Sequence, residues 1–417
     1  MSFDVAKVRK DFPIFERTIR DGKKLVYLDS GATSQKPLTV IDAESNFYKL
    51  NNAAVHRGAH QLAEEATDAY EGARLKVANF LGAKEDQIVF TKSATESLNL
   101  IAYAMGNAEP GSRFALSSKN RIVVTEMEHH ANLIPWQQLA ARTGAQLSWF
   151  EVTPDGRLDL SNINEVITED TKLVALTHQS NVLGTINPLD SIVKRAHEVG
   201  AVVVLDACQS VPHMHTDVQE WDADFVVFSS HKMVGPSGIG ILWGRESLLD
   251  AMPPFLGGGN MISDVKLEGF TCAELPAKFE AGTQPIIEAI GLGAAVDYLT
   301  AIGMDNVRAH EYDMTVLALN SLNDRFGSDI TIHGSTDAAL RGATISFAYR
   351  DVHPHDISQV LDQNNVCVRA GHHCAKPLMR ILGSNATVRA SFYLYNTPSD
   401  VTALCDALSE AGDFFTL

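Results

Sequence analysis

Between residues 87 and 245 of this 417-residue chain, short apolar runs alternate with longer stretches whose apolar residues recur at helical spacing. Apolar runs without regular polar interruption are typical of strands that helices cover on both faces, and therefore of a mostly parallel sheet. The pattern predicts an α/β fold with seven strands. The candidate strands are 87–91, 121–125, 146–150, 173–177, 202–205, 225–228 and 240–243.

A second, smaller alternation of strands and helices begins after about residue 300. A helix start is predicted at 396–400, where Pro398 stands in the first turn behind a polar residue. The other elements predicted in this part are strands at 342–348, 366–369 and 386–391 and a helix near 355–362.

The length of the chain exceeds what one small domain needs and suits two domains. We predict a large α/β domain over residues 21–300. We predict that residues 301–417 form a smaller α+β domain, together with residues 1–20.

The charge balance is strongly acidic, with 34 basic and 51 acidic residues and a net charge of -17. We therefore expect no nucleic-acid partner and no attraction to an anionic membrane. The chain lacks a signal-peptide pattern near its start and an apolar run of the ~18 residues that a membrane helix needs. Its five cysteines contain no C-x-x-C pair, which favours a reducing cytoplasm over a disulfide framework.

Two polar residues end apolar strands in a way that points to chemistry. Asp206 follows the run 201–205, and Lys232 follows 225–228 after three polar residues. Ligands of parallel sheets bind at the carboxyl ends of strands. A lysine that can form a Schiff base and an aspartate that can hold a pyridinium nitrogen are the signature of pyridoxal phosphate enzymes. For this pair alone, a surface lysine and a capping aspartate remain the alternative.

A phosphate site is predicted where the strand 87–91 turns into a helix. Ser93 and Glu96 have the spacing of a capping box, and free N–H groups at a helix start bind phosphate. Ser229 and His231 could complete that site from the neighbouring strand. A plain capped helix is the alternative.

Two further strand ends carry candidate ligands. His129 follows the strand 121–125 and could stack on an aromatic cofactor or transfer protons near neutral pH. Its neighbour His130 raises the alternative of a metal site, but neither histidine belongs to an H-x-x-x-H pair that would support zinc, and we predict no metal. Asn181 follows the strand 173–177 and could bind a cofactor oxygen or a substrate carboxylate.

Cys374 lies in the most distinctive late segment, between two histidines and a lysine and close to Arg369. Nearby positive groups favour a thiolate, which is the nucleophilic form of cysteine. A buried structural cysteine and a His-His-Cys metal site are the alternatives, and the second has poor ligand spacing. Arg389, further along, can clamp a substrate carboxylate in bidentate fashion.

With these residues, the chain resembles the SufS-type, or group II, cysteine desulfurases of the class V aminotransferase superfamily. The resemblance covers essentially the whole chain, and its most specific motif is Arg-x-Gly-His-His-Cys-Ala at 369–375. Ser-x-His-Lys at 229–232, Glu-His-His at 128–130 and Val-His-Arg-Gly at 55–58 also match. The resemblance implies a fold-type I transferase that depends on pyridoxal 5'-phosphate.

For the cofactor, the resemblance implies that Lys232 forms the Schiff base, Asp206 binds the pyridine nitrogen and Gln209 contacts the phenolic oxygen. His129 would stack over the ring. The phosphate would be held by residues of both chains of a homodimer, namely Ala94, Thr95, Ser229, His231 and Thr283 of the partner subunit.

For the reaction, the resemblance implies conversion of L-cysteine to L-alanine, with the sulfur passing to Cys374 as a persulfide. Lys232 and His129 would be the other catalytic residues. The persulfide would then supply iron–sulfur cluster assembly through an acceptor of the SufE or SufU type. Substrate binding is implied for Arg389, Asn181, His372 and Arg369.

The chain departs from the family pattern in two places. Ser30 and Gly31 stand where the family usually has Asn and Ala, and Lys376 adds a positive charge beside the cysteine loop. Three other functions stay open: a selenocysteine lyase, another class V lyase or aminotransferase, and a non-catalytic scaffold for sulfur assembly. Cys374 argues against the second, and only substrate kinetics separates the first.

Overall fold

The protein is described by a computed structural model, which covers residues 3–415. All seven strands predicted between residues 87 and 245 are present and form one sheet, the main sheet. From edge to edge its strands are Ile88–Thr91, Gly240–Gly244, Phe225–Ser229, Val202–Asp206, Thr171–Thr177, Arg121–Thr125 and Gln146–Phe150.

The main sheet is parallel except at one strand. Gly240–Gly244 runs antiparallel to both of its neighbours, while the other adjacent pairs are parallel. The ten residues 230–239 that precede this strand are too few for the crossover helix that a parallel return needs. The strand therefore returns in the opposite direction, and the predicted mostly parallel sheet is confirmed.

Each central strand is buried on both faces, which explains why the strands read as continuous apolar runs. In Val202–Asp206, Val203 and Leu205 point into one apolar core, and Val202 and Val204 point into the other. No face of such a strand has room for a polar side chain. Polar residues are therefore concentrated at the strand ends.

Helices cover both faces of the main sheet and one face of a second sheet. The helices of eight or more residues are Leu38–Asn46, Gln61–Phe80, Ala94–Gly106, Ile134–Thr143, Asp190–Glu198, Ile286–Ile302, Met304–Phe326, Pro354–Gln363 and Pro398–Phe414. The shorter α-helices are Val5–Lys10, Ile163–Val166, Val218–Trp221, Glu246–Ala251 and Lys376–Ile381.

The second sheet has four antiparallel strands and its own apolar core. Arg369–Gly371 pairs with Thr387–Ser391, whereas Val366–Cys367 pairs in parallel with Val26–Tyr27. The prediction of a single strand at 366–369 is therefore wrong. The chain pairs with Val26–Tyr27 up to residue 367 and joins the second sheet from residue 369. In sheet order the strands are Ile330–His333, Thr344–Tyr349, Thr387–Ser391 and Arg369–Gly371.

Some elements have no counterpart in the sequence analysis. Ile330–His333 and the hairpin of Ile262–Lys266 and Gly269–Cys272 were not predicted. The hairpin exposes the apolar side chains of Val265 and Phe270. The positions of its apolar residues therefore do not indicate a buried face. The helix start near residue 398 is confirmed, with Thr397 and Asp400 forming a capping box.

The N-terminal segment contacts both halves of the molecule. Arg9 forms an ion pair of 2.9 Å with Asp400. Phe12 packs edge-on against Tyr395 at 4.9 Å and against Tyr298 at 5.8 Å between ring centroids. The domain boundaries stay a prediction, and residues 1, 2, 416 and 417 of the predicted small domain lie outside the described residues.

Within residues 3–415, no single helix is both long and apolar enough to cross a membrane. One pair of helices, 286–302 and 304–329, meets the criterion only when the two are taken together across a bend of 74°.

A buried ion pair fastens the helix Gln61–Phe80 to the segment that follows the main sheet. The two guanidinium nitrogens Nη1 and Nη2 of Arg74 lie 2.7 and 2.9 Å from the carboxylate of Glu280. That carboxylate also accepts hydrogen bonds from the Tyr70 hydroxyl at 3.0 Å and the Phe90 backbone N–H at 2.8 Å. The loss of Glu280 would leave the buried Arg74 with a single carboxylate partner, the partly exposed Glu71 at 2.7 Å from its Nε.

We expect Glu280→Ala to destabilise the protein by about 3 kcal/mol or more, because the buried Arg74 would keep only Glu71, and the Tyr70 hydroxyl and Phe90 N–H would lose their buried acceptor. The matched control is Asp297→Ala, which removes an exposed partner of Lys76 and should cost less than about 1 kcal/mol. Urea unfolding of both variants measures the difference. Equal midpoints for the two variants would contradict the importance of the buried pair.

Candidate active site

A cavity of about 280 Å³ opens at the carboxyl edge of the main sheet, where the polar strand ends meet. Its walls come from strand ends, from the segment near residue 31 and from the loop around residue 374. The residues that line it are Gly31, Ala32, Ser93, Ala94, Thr95, His129, Ala131, Thr177, Asn181, Asp206, Cys208, Gln209, Ser229, His231, Lys232, Arg369, His373, Cys374 and Arg389.

Lys232 and Asp206 both face this cavity, as the strand positions require. Asp206 is only 5 % exposed, and its Oδ1 accepts a hydrogen bond of 3.0 Å from the Cys208 backbone N–H. Its backbone carbonyl accepts one of 2.9 Å from the His178 N–H. A carboxylate held in this way has little freedom to turn away from a ligand.

The turn that presents Lys232 is held by a segment almost 200 residues away in sequence. The His231 carbonyl oxygen accepts hydrogen bonds from the Ser34 backbone N–H at 3.0 Å, the Thr33 hydroxyl at 3.1 Å and the Lys36 ammonium at 2.9 Å. Burial lowers the pKa of Lys36 to about 8. This clasp fixes the backbone next to Lys232, and the sequence analysis did not foresee it.

The helix that begins at Ala94 points its first turn at the cavity. The Ser93 hydroxyl caps the Glu96 N–H at 3.4 Å, and the Ala94 N–H donates to the Ser229 hydroxyl at 2.9 Å. The Glu96 carboxylate accepts from the Lys92 N–H and not from Ser93. Only half of the predicted capping box is therefore formed, because the Glu96 side chain binds the N–H of Lys92, one residue before Ser93.

Gly240 makes the close approach of this helix start possible. A Cβ atom at this position would lie 2.4 Å from the Ser93 carbonyl carbon, well inside contact distance. Any larger residue would push the strand Gly240–Gly244 away from the helix start. The sequence analysis missed this glycine, because its requirement arises only from tertiary contact.

His129 lies in the cavity wall as a neutral imidazole. Its Nδ1 accepts a hydrogen bond of 3.1 Å from the Ala131 backbone N–H, which leaves the proton on Nε2. Burial lowers the pKa of His129 to about 4, and the positive charge of Lys232 acts in the same direction. The ring can therefore donate a hydrogen bond at neutral pH without carrying charge.

Glu128, which the sequence analysis quoted only as part of a motif, organises the strand ends below His129. Its carboxylate accepts hydrogen bonds from Thr125 at 2.7 Å, Asn132 at 2.6 Å and the Thr177 N–H at 3.0 Å. Burial raises the pKa of Glu128 to about 8, although all three donors favour the ionised form. Glu128 thus joins two strand ends and the turn that carries His129.

Arg389 and Arg369 share the carboxylate of Asp29. Arg369 binds Asp29 with two nitrogens, the shorter contact being 2.7 Å, while Nη2 of Arg389 lies 3.5 Å away. Nη1 of Arg389 donates to the Asn181 carbonyl at 2.9 Å. Its Nε is buried without a hydrogen-bond partner among the described residues, and burial lowers the Arg389 pKa to about 10. This buried donor suits an anionic ligand.

Cys374 is exposed at the mouth of the cavity, next to the buried His373. The Asn181 side-chain amide donates a hydrogen bond of 2.7 Å to the His373 carbonyl. Asn181 therefore has a structural contact with the cysteine loop in addition to its place in the cavity wall.

The cavity brings together most of the residues that the sequence analysis selected, and it leaves out two. His372 lies outside the wall, where its ring is 5.6 Å from that of His130. Thr283 is exposed on the surface and does not line the cavity of its own chain. The predicted residues in the wall are Ala94, Thr95, His129, Asn181, Asp206, Gln209, Ser229, His231, Lys232, Arg369, Cys374 and Arg389.

The two unusual residues near position 30 have defined contacts. The Ser30 hydroxyl lies 2.7 Å from the Tyr395 hydroxyl. The Gly31 N–H donates to the Ser391 hydroxyl at 2.8 Å, and a Cβ at Gly31 would lie 3.4 Å from the Arg389 guanidinium carbon. Glycine at this position leaves more space beside Arg389 than alanine would.

The buried polar atoms fit the cofactor that the motif predicts. The side-chain Nε2 of Gln209 donates to the Gly31 carbonyl at 2.8 Å. Its Oε1, an acceptor, is buried without a hydrogen-bond partner among residues 3–415. Together with the unpaired Nε of Arg389, it leaves hydrogen-bonding capacity for a polar ligand in the cavity. In the described part of the chain, no group of three or more His, Cys, Asp or Glu side chains could hold a metal ion.

Comparison with known proteins agrees with this site. The chain matches the family described as aminotransferase class-V over residues 26–404. It is 56 % identical over 413 residues to a probable cysteine desulfurase of Streptomyces coelicolor, covering 99 % of this chain and 98 % of that protein.

Two solved structures are similar along nearly their whole length. The apo cysteine desulfurase of Thermococcus onnurineus NA1 has a TM-score of 0.91 and 40 % identity, covering 97 % of each chain. The cysteine desulfurase CsdA of Escherichia coli has a TM-score of 0.88 and 37 % identity, covering 99 % of this chain and 100 % of that one. The fold predicted from the sequence is confirmed, and the chain belongs to the class-V aminotransferase family.

Proposed function

We propose that this protein is a pyridoxal phosphate-dependent cysteine desulfurase of the SufS type, which converts L-cysteine to L-alanine. One observation carries the proposal: the exposed thiol of Cys374 lies in the wall of the cavity that also contains Lys232 and Asp206. An aminotransferase or another class V lyase needs the last two residues but has no use for a nucleophile there, whereas a selenocysteine lyase is separated only by substrate kinetics. The names of the similar proteins support the same conclusion.

The cofactor would be held by residues from every wall of the cavity. Lys232 is the proposed covalent attachment point, Asp206 the partner of the ring nitrogen, and His129 and Gln209 the contacts of the ring. Ala94, Thr95, Ser229 and His231 would hold the phosphate at the helix start. When bound, pyridoxal phosphate serves as the electron sink for cleavage at the substrate carbon atoms.

Arg389 is the proposed anchor of the substrate carboxylate, since its Nε is buried and unpaired. Arg369 and Asn181 flank it, and His372 acts from outside the cavity wall through the cysteine loop. With the carboxylate held, the Lys232 amine takes the proton from Cα. The neutral His129 ring donates a hydrogen bond and does not compete with Lys232 as a cation.

The proposed sulfur transfer involves only the substrate and Cys374. The Cys374 thiolate attacks the substrate sulfur, a sulfur–sulfur bond forms, and the carbon–sulfur bond of the substrate breaks. The bonding electrons stay with the carbon skeleton, which gains a proton at Cβ and leaves as alanine. Cys374 keeps the sulfur as a persulfide, so the step needs no external oxidant or reductant.

The persulfide then has to reach an acceptor. Cys374 is exposed, so a small protein of the SufE or SufU type could approach it directly. Delivery to iron–sulfur cluster assembly in the cytoplasm is the proposed destination, in keeping with five unpaired cysteines.

A homodimer is part of the proposal, because Thr283 would complete the phosphate site of the partner subunit. Thr283 is exposed and precedes the helix Ile286–Ile302, which packs against the two helices that bear the exposed apolar residues Ile41 and Leu62. Tyr48 and Leu50, which follow the first of these helices, are also more than half exposed. Exposed apolar side chains on neighbouring elements are consistent with an interface.

Replacement of Cys374 tests the nucleophile. We expect Cys374→Ala to retain the cofactor but to lose multiple-turnover desulfuration by at least about 100-fold, as removal of a nucleophile usually does. In the parent protein, single turnover with L-cysteine should give one alanine per site and one added sulfur on the peptide containing Cys374, located by mass spectrometry. Cys272→Ala, in the surface hairpin, is the control and should behave like the parent. Sulfur on another cysteine would refute the assignment.

The attachment lysine can be identified chemically. Borohydride reduction of the protein loaded with pyridoxal phosphate should fix the cofactor on the peptide that contains Lys232. Lys232→Ala should abolish this labelling, whereas Lys376→Ala, beside the cysteine loop, should keep it. Labelling that survives in Lys232→Ala would assign the cofactor to a different lysine.

Hybrid dimers test whether Thr283 serves the opposite site. Thr283→Ala subunits mixed with Lys232→Ala subunits leave one site with both native residues only if Thr283 reaches across the interface. We expect such hybrids to recover about half of the parent activity, whereas each homodimer stays impaired. If Thr283 acts in its own chain, the hybrid contains no intact site and shows no recovery.

A further inference from the structure

The loop that carries Cys374 has a strained backbone. His373 and Cys374 both have positive φ angles, of 50° and 55°, although neither is glycine. Each residue in this left-handed region costs about 1 kcal/mol or more, and two in succession are uncommon. Such a conformation persists only when surrounding contacts hold it.

Several of those contacts come from within the small sheet and its loop. The Cys374 N–H donates to Nδ1 of His372 at 3.1 Å, and the ring of His373 lies 2.9 Å from the Thr387 hydroxyl. From the opposite wall, Asn181 donates to the His373 carbonyl at 2.7 Å. These contacts fix the residues before Cys374.

His130 contacts the loop at the nucleophile itself and two residues after it. Its backbone N–H donates to the Cys374 carbonyl at 2.7 Å, and its ring Nε2 accepts from the Lys376 N–H at 3.1 Å. Lys376 begins the helix Lys376–Ile381, so its N–H has no acceptor within that helix. The imidazole of His130 therefore caps this helix from a distant part of the chain.

The two neighbouring histidines have separate surroundings. The His129 ring lies in the cavity wall, whereas His130 is not part of that wall and contacts the cysteine loop. Burial lowers the pKa of His130, and the facing groups His372 and Lys376 lower it further. The lowered pKa favours the neutral ring, and the Lys376 N–H that donates to Nε2 leaves the remaining proton on Nδ1.

We propose that His130 is a positioning residue for sulfur transfer, whose ring nitrogen holds the Cys374 loop in its strained conformation through the Lys376 N–H. This inference rests on the proposed function, because it concerns how Cys374 reaches the substrate sulfur. His130 does not touch the substrate; it fixes the direction of the thiol. Misplacement of a reacting group by about 1 Å can cost a hundredfold in rate.

The test compares three substitutions at His130 in the full-length protein loaded with pyridoxal phosphate. His130→Gln keeps an acceptor at about the position of Nε2, His130→Asn is too short to reach it, and His130→Phe keeps a ring without an acceptor. His215→Phe, at an exposed histidine away from the cavity, is the matched control. All variants retain the backbone N–H that binds the Cys374 carbonyl.

Two quantities are measured for each protein. Hydrogen–deuterium exchange of the peptide covering residues 369–380 should accelerate about fivefold to tenfold in the Phe and Asn variants, as expected for one lost hydrogen bond. The single-turnover rate of persulfide formation on Cys374 should fall between about tenfold and a hundredfold in the same variants. The Gln variant and the control should stay close to the parent in both measurements.

The proposal would be overturned by unchanged exchange in the loop of the Phe and Asn variants, by normal persulfide formation despite faster exchange, or by a Gln variant as impaired as Phe. Faster exchange throughout the chain would also overturn it, since that indicates a general structural role. If the parent protein forms no alanine from L-cysteine, the proposed function itself fails, and the exchange measurement still decides whether His130 holds the loop.

Discussion

Burial of the main sheet on both faces is the constraint on which the rest of the structure depends. Because helices cover both faces, side chains within the strands must be apolar, and polar chemistry is displaced to the strand ends. Parallel strands align these ends on one edge, so residues distant in sequence, such as Asp206 and Lys232, meet there. The antiparallel strand Gly240–Gly244 adds the glycine that lets the helix beginning at Ala94 approach.

Burial also sets the charge state of the site. His129 and His231 have pKa values of about 4, and His373 of about 3, each with burial as the first cause. Three imidazoles around the cavity are therefore neutral at physiological pH and act by hydrogen bonding. The positive charge near the cavity is therefore carried by lysine and arginine side chains. Arg389 stays protonated at physiological pH, although burial lowers its pKa to about 10.

The sequence predicted those features that depend on local pattern. Continuous apolar runs located all seven strands of the main sheet, and the polar residues after them located Asp206, His129 and Lys232 in the cavity wall. It did not predict hydrogen bonds between distant segments outside the sheet edge. The clasp of Thr33 and Lys36 on the His231 carbonyl has no local pattern, because its two sides lie almost 200 residues apart.

The shared carboxylate of Asp29 determines which ligands the arginine pair can accept. Two guanidinium groups against one carboxylate leave a single unbalanced positive charge. One carboxylate placed against the buried Nε of Arg389 would balance this charge, so the arginine pair and Asp29 together leave room for a single further negative charge.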